Sequence, residues 1–249
     1  MTLTQYTSNQ NLSSTINLAS DGLLRGIGSK QITITSSANP IIAVGQNFDS
    51  EWVKSAGIEN LVIVGNGSNT GILLQDVVHC KVRNVALVNC DIGIKLTATD
   101  ARWAEVNHIE HVRMKDVNTG IQFAPGGSSD NSRAFTYIND VGISLRDAQN
   151  LKGIEVGQDC RIYSSFIKAN VWSSQPCDGM SINGLANFCL INLNHEKTST
   201  GKGGNGVHIL SSGRVENNHS FFLSSGNMQD NRWVYDESGW GHDIVERHY

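Results

Sequence analysis

Three acidic residues stand beside apolar, strand-like runs of the sequence, where a carboxyl group could act on a glycosidic bond: Glu105, Asp159 and Glu196. Glycosidases use two carboxyl groups, about 5–5.5 Å apart in retaining enzymes and about 6.5–9.5 Å apart in inverting ones. Glu105 precedes the apolar run at Ile109 and Asp159 precedes the one at Ile162. A repeating structure would place this pair one or two turns apart. We take the three acidic residues as catalytic candidates.

A second set of residues has the chemistry of sugar binding, in which an aromatic face stacks on a pyranose ring while polar groups bond its hydroxyls. Trp103 and Trp172 lie near expected loops, although Trp172 also ends the apolar run at 166–171 and a core position is the alternative for it. The substrate-binding candidates are Trp103, Arg102, Trp172, Asp178 and His195.

The sequence predicts no metal site and no cofactor. A calcium-dependent lyase holds its ion with several acidic residues, and no such cluster is evident in the sequence. Structural zinc takes four closely grouped Cys or His ligands, whereas the cysteines here are scattered and form no C-x-x-C pair. We therefore expect buried, reduced thiols at Cys80, Cys90, Cys160, Cys177 and Cys189.

A short repeat predicts the elements that position these residues. The pattern is Gly, an aliphatic residue, any residue, then a large apolar residue, and its six main copies begin at Gly71, Gly93, Gly120, Gly153, Gly179 and Gly206. By subtraction, the glycines are 22, 27, 33, 26 and 27 residues apart. Periods of about 20–50 residues are typical of stacked-repeat architectures.

A second pattern lies between these glycines and begins at Ile58, Val82 and Ile109. Its aliphatic residues occupy the first, fourth and sixth places, which does not fit the two-residue period of a simple strand. We expect a bend at the third place, where Asn adopts a left-handed conformation at small cost and where His111 substitutes for Asn. Each repeat then has three short strands. Amphipathic helical runs are absent, so we predict an all-β fold, a single-stranded parallel β-helix with three short strands per coil.

Charge and hydropathy exclude several classes of partner. The 249 residues carry a formal net charge of −4, with Lys and Arg scattered rather than clustered, so nucleic acid is not an expected partner. No apolar run reaches the roughly 20 residues of a membrane helix, and the first residues lack the features of a signal peptide. We expect neither membrane insertion nor a standard secretory precursor.

The repeat also suggests three parts of the chain. Residues 1–22 are predicted to form an N-terminal cap and first strand, residues 23–226 the β-helix, and residues 227–249 a C-terminal cap or an oligomer contact. The last segment loses the repeat and concentrates aromatic residues at Trp233, Tyr235, Trp240 and Tyr249.

The run GLLRGIG at 22–28, the bends and the recurrent G-I-x-L together resemble the pectate-lyase-like right-handed β-helix superfamily, especially its bacteriophage tailspike branch. The resemblance covers roughly residues 12–225. It implies a homotrimer on a virion or extracellular surface, but it is nearly silent about chemistry, because the superfamily includes lyases, hydrolases, esterases and inert spikes. The aspartate signatures of pectate lyases and polygalacturonases are not evident in this sequence.

The leading hypothesis is a tailspike-type virion or surface protein that binds a host-surface polysaccharide. Whether it also cleaves the glycan is left open, with a hydrolase favoured over a lyase. One alternative is a non-catalytic structural β-helix that builds a fibre, sheath or capsid ornament. The other is a secreted polysaccharide lyase.

Overall fold

The computed structural model describes residues 2–28, 31–45, 53–99, 103–126, 133–197, 204–216, 219–224, 234–239 and 244–248. Strands are the only regular elements in these ranges: β1 (Thr2–Tyr6), β2 (Gln10–Leu12), β3 (Ile16–Leu18), β4 (Gly22–Gly26), β5 (Ile32–Ser36), β6 (Ile42–Val44), β7 (Val53–Lys54), β8 (Gly57–Val64), β9 (Thr70–Gln75), β10 (Val77–Val78), β11 (Lys81–Val88), β12 (Ile92–Thr97), β13 (His108–Val117), β14 (Thr119–Phe123), β15 (Tyr137–Leu145), β16 (Leu151–Val156), β17 (Arg161–Tyr163), β18 (Phe166–Ser173), β19 (Cys177–Ile182), β20 (Leu185–Asn187), β21 (Leu190–Lys197), β22 (Val207–Ile209), β23 (Arg214–Glu216), β24 (His219–Ser224), β25 (Val234–Asp236) and β26 (Ile244–His248).

These strands form two large sheets and two small ones. Sheet A has the order β1-β4-β8-β11-β13-β15-β18-β21-β24-β26, with β2 and β5 joined to it beside β8. Sheet B has the order β3-β6-β9-β12-β14-β16-β19-β22-β25, and the pairs β7–β10 and β17–β20–β23 form a third side, face C. The strands pair in parallel, turn upon turn. The chain is a parallel β-solenoid of about seven turns over the described ranges, which confirms the predicted fold class.

The core is built from aliphatic rows that run along the solenoid. One row takes a single residue from each of β8, β11, β13, β15, β18 and β21, and every member is fully buried: Ile58, Val82, Ile109, Ile138, Ile167 and Ile191. Burying one such side chain contributes about 1.5–3 kcal/mol. Because each turn extends these rows, the core grows with the number of turns.

The glycines of the repeat form a row of their own in sheet B. A Cβ on Gly93 would lie 2.7 Å from the carbonyl oxygen of Gly120, and a Cβ on Gly120 would lie 2.6 Å from that of Gly153. These glycines do not have positive φ. They are required because no side chain fits between successive turns, and not because the backbone is left-handed. Along the repeat, the left-handed role belongs to Asn and its substitutes.

The predicted bend is present in sheet A. Asn60, Asn84, His111 and Asp140 occupy it in four consecutive turns with φ of 58°, 54°, 53° and 52°. Asn84 Nδ2 donates to Asn60 Oδ1 at 2.9 Å, so the bends are tied to one another. The bend ends at β18, because the register slips by one residue between Ile138 and Val141 and the strand then alternates without interruption.

A second left-handed corner joins face C to sheet A. One residue per turn occupies it, with φ between 45° and 62°: Ser55, His79, Val106, Phe135, Ser164 and Phe188. The backbone N–H of Phe135 donates to Tyr163 O at 2.9 Å, and that of Ser164 donates to Asn187 O at 3.0 Å. These residues therefore stack in a corner row that follows the solenoid axis.

Arg146 connects turns that are not neighbours. Its guanidinium donates to the carbonyl oxygens of Asp116 at 2.9 Å, Cys90 at 2.8 Å and Gly67 at 3.3 Å. These three acceptors lie one, two and three turns back along the solenoid.

The ends of the described chain continue the same pairing. Strand β1 pairs with β4 and β2 pairs with β5, while β25 pairs with β22 and β26 pairs with β24. Parallel pairing therefore does not change at the boundaries expected at 22/23 and 226/227. No helix in the described ranges is long and apolar enough to cross a membrane.

All five cysteines are free and buried, as the sequence predicted. Burial raises the pKa of Cys80 to about 12 and the pKa values of Cys90, Cys160 and Cys189 to about 11. These four thiols are protonated, structural groups at neutral pH.

Candidate functional site

A cleft of about 630 Å³ opens on the outer face of sheet B. Strands β16, β19 and β22 and the loops that precede them line it, and its polar residues include Lys152, Asp178, Ser181, Asn205 and His208. A concave surface with a few convergent polar groups is the usual form of a ligand site. We take this cleft as the candidate functional site.

The repeat itself brings these side chains together. In each G-I-x-L copy the second and fourth residues enter the core, so the variable third residue points outward. The register aligns outward residues from four successive strands at spacings of about 4.8 Å: Glu155, Ser181, His208 and Tyr235. A neighbouring outward row places Lys152 beside Asp178.

His208 lies between two carboxylates. Its Nδ1 is 2.8 Å from Asp178 Oδ2, and its Nε2 is 3.2 Å from Glu237 Oε1. The Tyr235 ring packs against it with centroids 5.1 Å apart and planes tilted by 42°. Nδ1 is within hydrogen-bonding distance of Asp178, whereas Nε2 lies near Glu237 without forming a hydrogen bond to it. His208 thus connects β19, β22 and the segment after β25.

Neighbouring polar groups fix the two sides of the cleft. Asp178 Oδ1 accepts from the side-chain Nδ2 of Asn205 at 2.9 Å and from its backbone N–H at 3.3 Å. On the other side, Lys152 Nζ donates to Glu155 Oε1, and Gln122 Nε2 donates to Glu155 Oε2 at 2.7 Å. The side chains at this site are held by mutual bonds, so the site is preorganised.

Of the catalytic and substrate-binding candidates named from the sequence, Asp178 is the one that lines this cleft. His195 lies in the core with 1% of its surface exposed, where its Nε2 is 3.1 Å from Cys177 Sγ. This placement does not favour a direct contact between His195 and a substrate.

Glu105 and Asp159 belong to different turns of the solenoid. Val106 N donates to Ala134 O, so Phe135 lies one turn after Val106. Phe135 N in turn donates to Tyr163 O, so Ser164 lies one turn further on. One complete turn therefore separates the turn of Glu105 from that of Asp159, and Asp159 lies four residues before Tyr163 rather than opposite Glu105. Asp159 is exposed at a turn with φ of 59°. The structure does not bring this pair together.

Trp172 and Glu196 are neighbours in register on β18 and β21 of sheet A. Trp172 is 39% exposed on the outer face, so the alternative position in the core is not the one observed. Trp103 is 36% exposed beside face C. Arg102 lies outside the described residues, as do Trp233, Trp240 and Tyr249 of the C-terminal segment. For the catalytic and binding candidates outside the cleft, these roles stay predictions.

Sequence reasoning did not identify His208, Glu237 or Lys152. A signal for His208 was present, because it is the variable residue of its G-V-H-I copy and the repeat alignment places it in the outward row with Glu155 and Ser181. Glu237 carried no such signal, since it follows the point at which the repeat becomes unrecognisable. Among the described residues, no group of three or more His, Cys, Asp or Glu side chains could hold a metal ion.

Comparisons with family models, with curated proteins and with solved structures give no match to this chain.

Proposed function

We propose that this β-solenoid binds a polysaccharide of a host surface in the cleft of sheet B and that it acts at a virion or extracellular surface. The observation that carries the proposal is an open cleft of about 630 Å³ lined by Asp178 and His208, with Glu237 and Tyr235 packed beside the imidazole. Carboxylates and amides bond sugar hydroxyls, while an aromatic ring covers the apolar face of a sugar.

The charges of the cleft favour glycans without carboxylates. Asp178 lines the cleft together with Lys152 and His208, and the carboxylates of Glu155 and Glu237 lie directly beside Lys152 and His208. Lys152 is already bonded to Glu155, so it is not available to neutralise a uronate. Neutral sugars, and sugars with a free amino group, therefore fit the cleft better than uronates. The same point argues against a polysaccharide lyase, which must neutralise the uronate carboxylate.

The surroundings of His208 also suggest a test of hydrolysis. Asp178 and Glu237 lie on opposite sides of one imidazole ring, and an inverting glycosidase uses two separated carboxyl groups as acid and base. The test of the proposal therefore measures cleavage of the polysaccharide as well as its binding.

The test is titration calorimetry of the purified chain with three groups of soluble polysaccharides: neutral, amino-bearing and uronate-rich. New reducing ends are assayed in parallel. We expect binding to neutral or amino-bearing glycans and a loss of at least about tenfold in Asp178→Asn, whose carboxylate accepts three bonds in the cleft. Asp159→Asn is the matched control, because that carboxylate is exposed and lies outside the cleft. Equal affinities of the two variants, or no binding and no cleavage across all three groups, would contradict the proposal.

A further inference from the structure

A thiol and an imidazole lie in contact beside the sheet B cleft. Cys177, the first residue of β19, is one of the residues that line the cleft, and its Sγ is 3.1 Å from Nε2 of His195 on β21. Both side chains are enclosed, with 4% of Cys177 and 1% of His195 exposed. The glycan binding proposed for the cleft uses neither the thiol nor this imidazole, so the pair has no role in it.

The pair stands where neighbouring turns place apolar residues. His195 belongs to an inward row of sheet A whose other members are all apolar and buried: Ile63, Leu87, Met114, Ile143 and Val171. Cys177 is the register partner of Leu151, one turn earlier in sheet B. The fold therefore accepts an apolar side chain at either position. Because burial of an imidazole costs free energy that an aliphatic side chain would not, packing alone does not account for the histidine.

The glycine row of sheet B makes room for the imidazole. A Cβ on Gly179 would lie 3.2 Å from Cγ of His195 and 2.8 Å from Cδ2 of Leu193, so a larger residue there would press on the ring. The ring packs closely against β19, two residues from Cys177 in the chain. This packing limits rotation of the imidazole and keeps its Nε2 beside the sulfur.

An imidazole at hydrogen-bonding distance changes the chemistry open to a thiol. The thiolate is the nucleophilic form of cysteine, and an adjacent base that takes the thiol proton activates it. The other four thiols of the chain are held protonated at neutral pH, because burial raises their pKa values to about 11 or 12. Cys177 also has the largest exposed fraction of the five. It is therefore the cysteine that is best placed to react.

We propose that Cys177 is a site of oxidation by small hydroperoxides such as hydrogen peroxide, with His195 as its base. His195 accepts the thiol proton, and the thiolate attacks one peroxide oxygen. A sulfur–oxygen bond forms as the oxygen–oxygen bond breaks, and the departing hydroxide takes the proton from the imidazolium to leave as water. The sulfur is oxidised to a sulfenic acid and the peroxide is reduced. With only 4% of Cys177 exposed, the path to it favours a molecule of nearly the size of water. This site does not depend on the glycan binding proposed for the cleft.

The experiment is treatment of the purified full chain with hydrogen peroxide at neutral pH, with dimedone present to trap sulfenic acids and peptide mass spectrometry to locate them. We expect Cys177 to be trapped at least about tenfold faster than any other cysteine of the chain, and these serve as internal controls. In His195→Val the rate at Cys177 should fall at least about tenfold, because the thiol keeps its proton. Valine occupies the same row one turn earlier, so this variant should fold.

A second variant separates proton transfer from hydrogen bonding. Glutamine can bond to the thiol but cannot take its proton, so His195→Gln should lose as much rate as His195→Val. His111→Asn is the control, because that histidine is exposed at the sheet A bend, and it should leave the rate unchanged. Melting temperatures of all three variants confirm folding. Three results would overturn the proposal: no sulfenic acid at Cys177, another cysteine trapped equally fast, or a parent-like rate in either His195 variant.

Discussion

The outer faces of sheets A and B rest on the same core, yet their middle turns present different groups of side chains. In sheet B, outward positions hold Lys152, Asp178 and His208, whose side chains bond to neighbouring groups around an open cleft. In sheet A, one outward row on β15, β18 and β21 is apolar, with the stacked rings of Tyr137 and Phe166 followed by the exposed Leu190. In a solenoid the inward rows specify the fold, and the outward rows are free to specialise by face.

This apolar row also lies at the point along sheet A where the left-handed bend in the strands ends. The left-handed bend is present in four turns up to Asp140 on β15 and absent from β18. Outward apolar residues such as Phe166, Trp172 and Leu190 belong to strands without the bend. The two faces differ in chemistry, and sheet A additionally differs between its two halves.

The largest effect should come from the core that both faces share. Unfolded thiols lose their proton near pH 9, whereas burial holds the pKa of folded Cys80 at about 12 and those of Cys90, Cys160 and Cys189 at about 11. Between these values the unfolded chain binds fewer protons, so the free energy of unfolding falls by about 1.4 kcal/mol per thiol for each pH unit. The contribution of these thiols to stability should be complete below pH 9 and should be lost progressively as the pH rises to 11 and above.

Urea unfolding at pH 8, 9, 10 and 11 measures this decrease. Cys189→Ala removes one of the four thiols and should have a shallower slope than the parent. Identical slopes in the parent and the variant would show that the thiols are not responsible, and that the core beneath the two faces responds to pH in another way.

The next largest loss of stability is expected from a comparison of two glycines, one between the turns of sheet B and one on the outer face of sheet A. In Gly153→Ala the new Cβ would lie 2.5 Å from Gly179 O and would also clash with Val171, so we expect a loss of about 1–3 kcal/mol or more. In Gly142→Ala the Cβ meets the flexible Arg113 side chain at 3.0 Å, and the loss should be well below that. Chemical denaturation of both variants gives the comparison, and a Gly142→Ala loss equal to that of Gly153→Ala would reject it.

A smaller effect distinguishes the two halves of sheet A. Asn84 is left-handed, so Asn84→Ala should be less stable than Asn84→Gly by about 1 kcal/mol. Both variants lose the bond to Asn60, which cancels in the difference. At Lys168, on the straight strand β18, the order should reverse, with Lys168→Gly less stable than Lys168→Ala by about 0.5–1 kcal/mol. The same order at both positions would mean that the bend does not end where the structure places its end.

The smallest expected effect compares ion pairs on the two faces. Arg25 and Glu59 on sheet A are bonded at 2.5 Å, with side chains 40% and 23% exposed, and a double-mutant cycle should give about 1 kcal/mol or less. Lys152 and Glu155 at the cleft are more enclosed, 29% and 16% exposed, so their coupling should be the larger of the two. The same cycles in 1 M salt should weaken the sheet A pair more. A stronger coupling for Arg25 and Glu59 would count against a more protected cleft.

The sequence predicts well which residues face the core of the solenoid. The period of the glycines, the bend at Asn60 and Asn84, and the aliphatic rows all follow from residues that must fit between stacked turns. The outward half is harder, because Asp178 and Glu237 are 59 positions apart in the chain and meet only through His208. The pairing of Glu105 with Asp159 shows the same difficulty, since the sequence allowed one or two turns between them, and the register places Asp159 two turns on and four residues out of line with Glu105.

The bonds of Arg146 have a mechanical consequence. A chain of repeats that touch only their neighbours peels from its ends one turn at a time, and each turn offers its own small resistance to a pulling force. Arg146 holds carbonyl oxygens from three earlier turns in one guanidinium, so the turns of Cys90 and Gly67 cannot detach without breaking a bond to a turn that is not their neighbour. Under tension the four central turns should therefore yield as a single block, with the end turns giving way first.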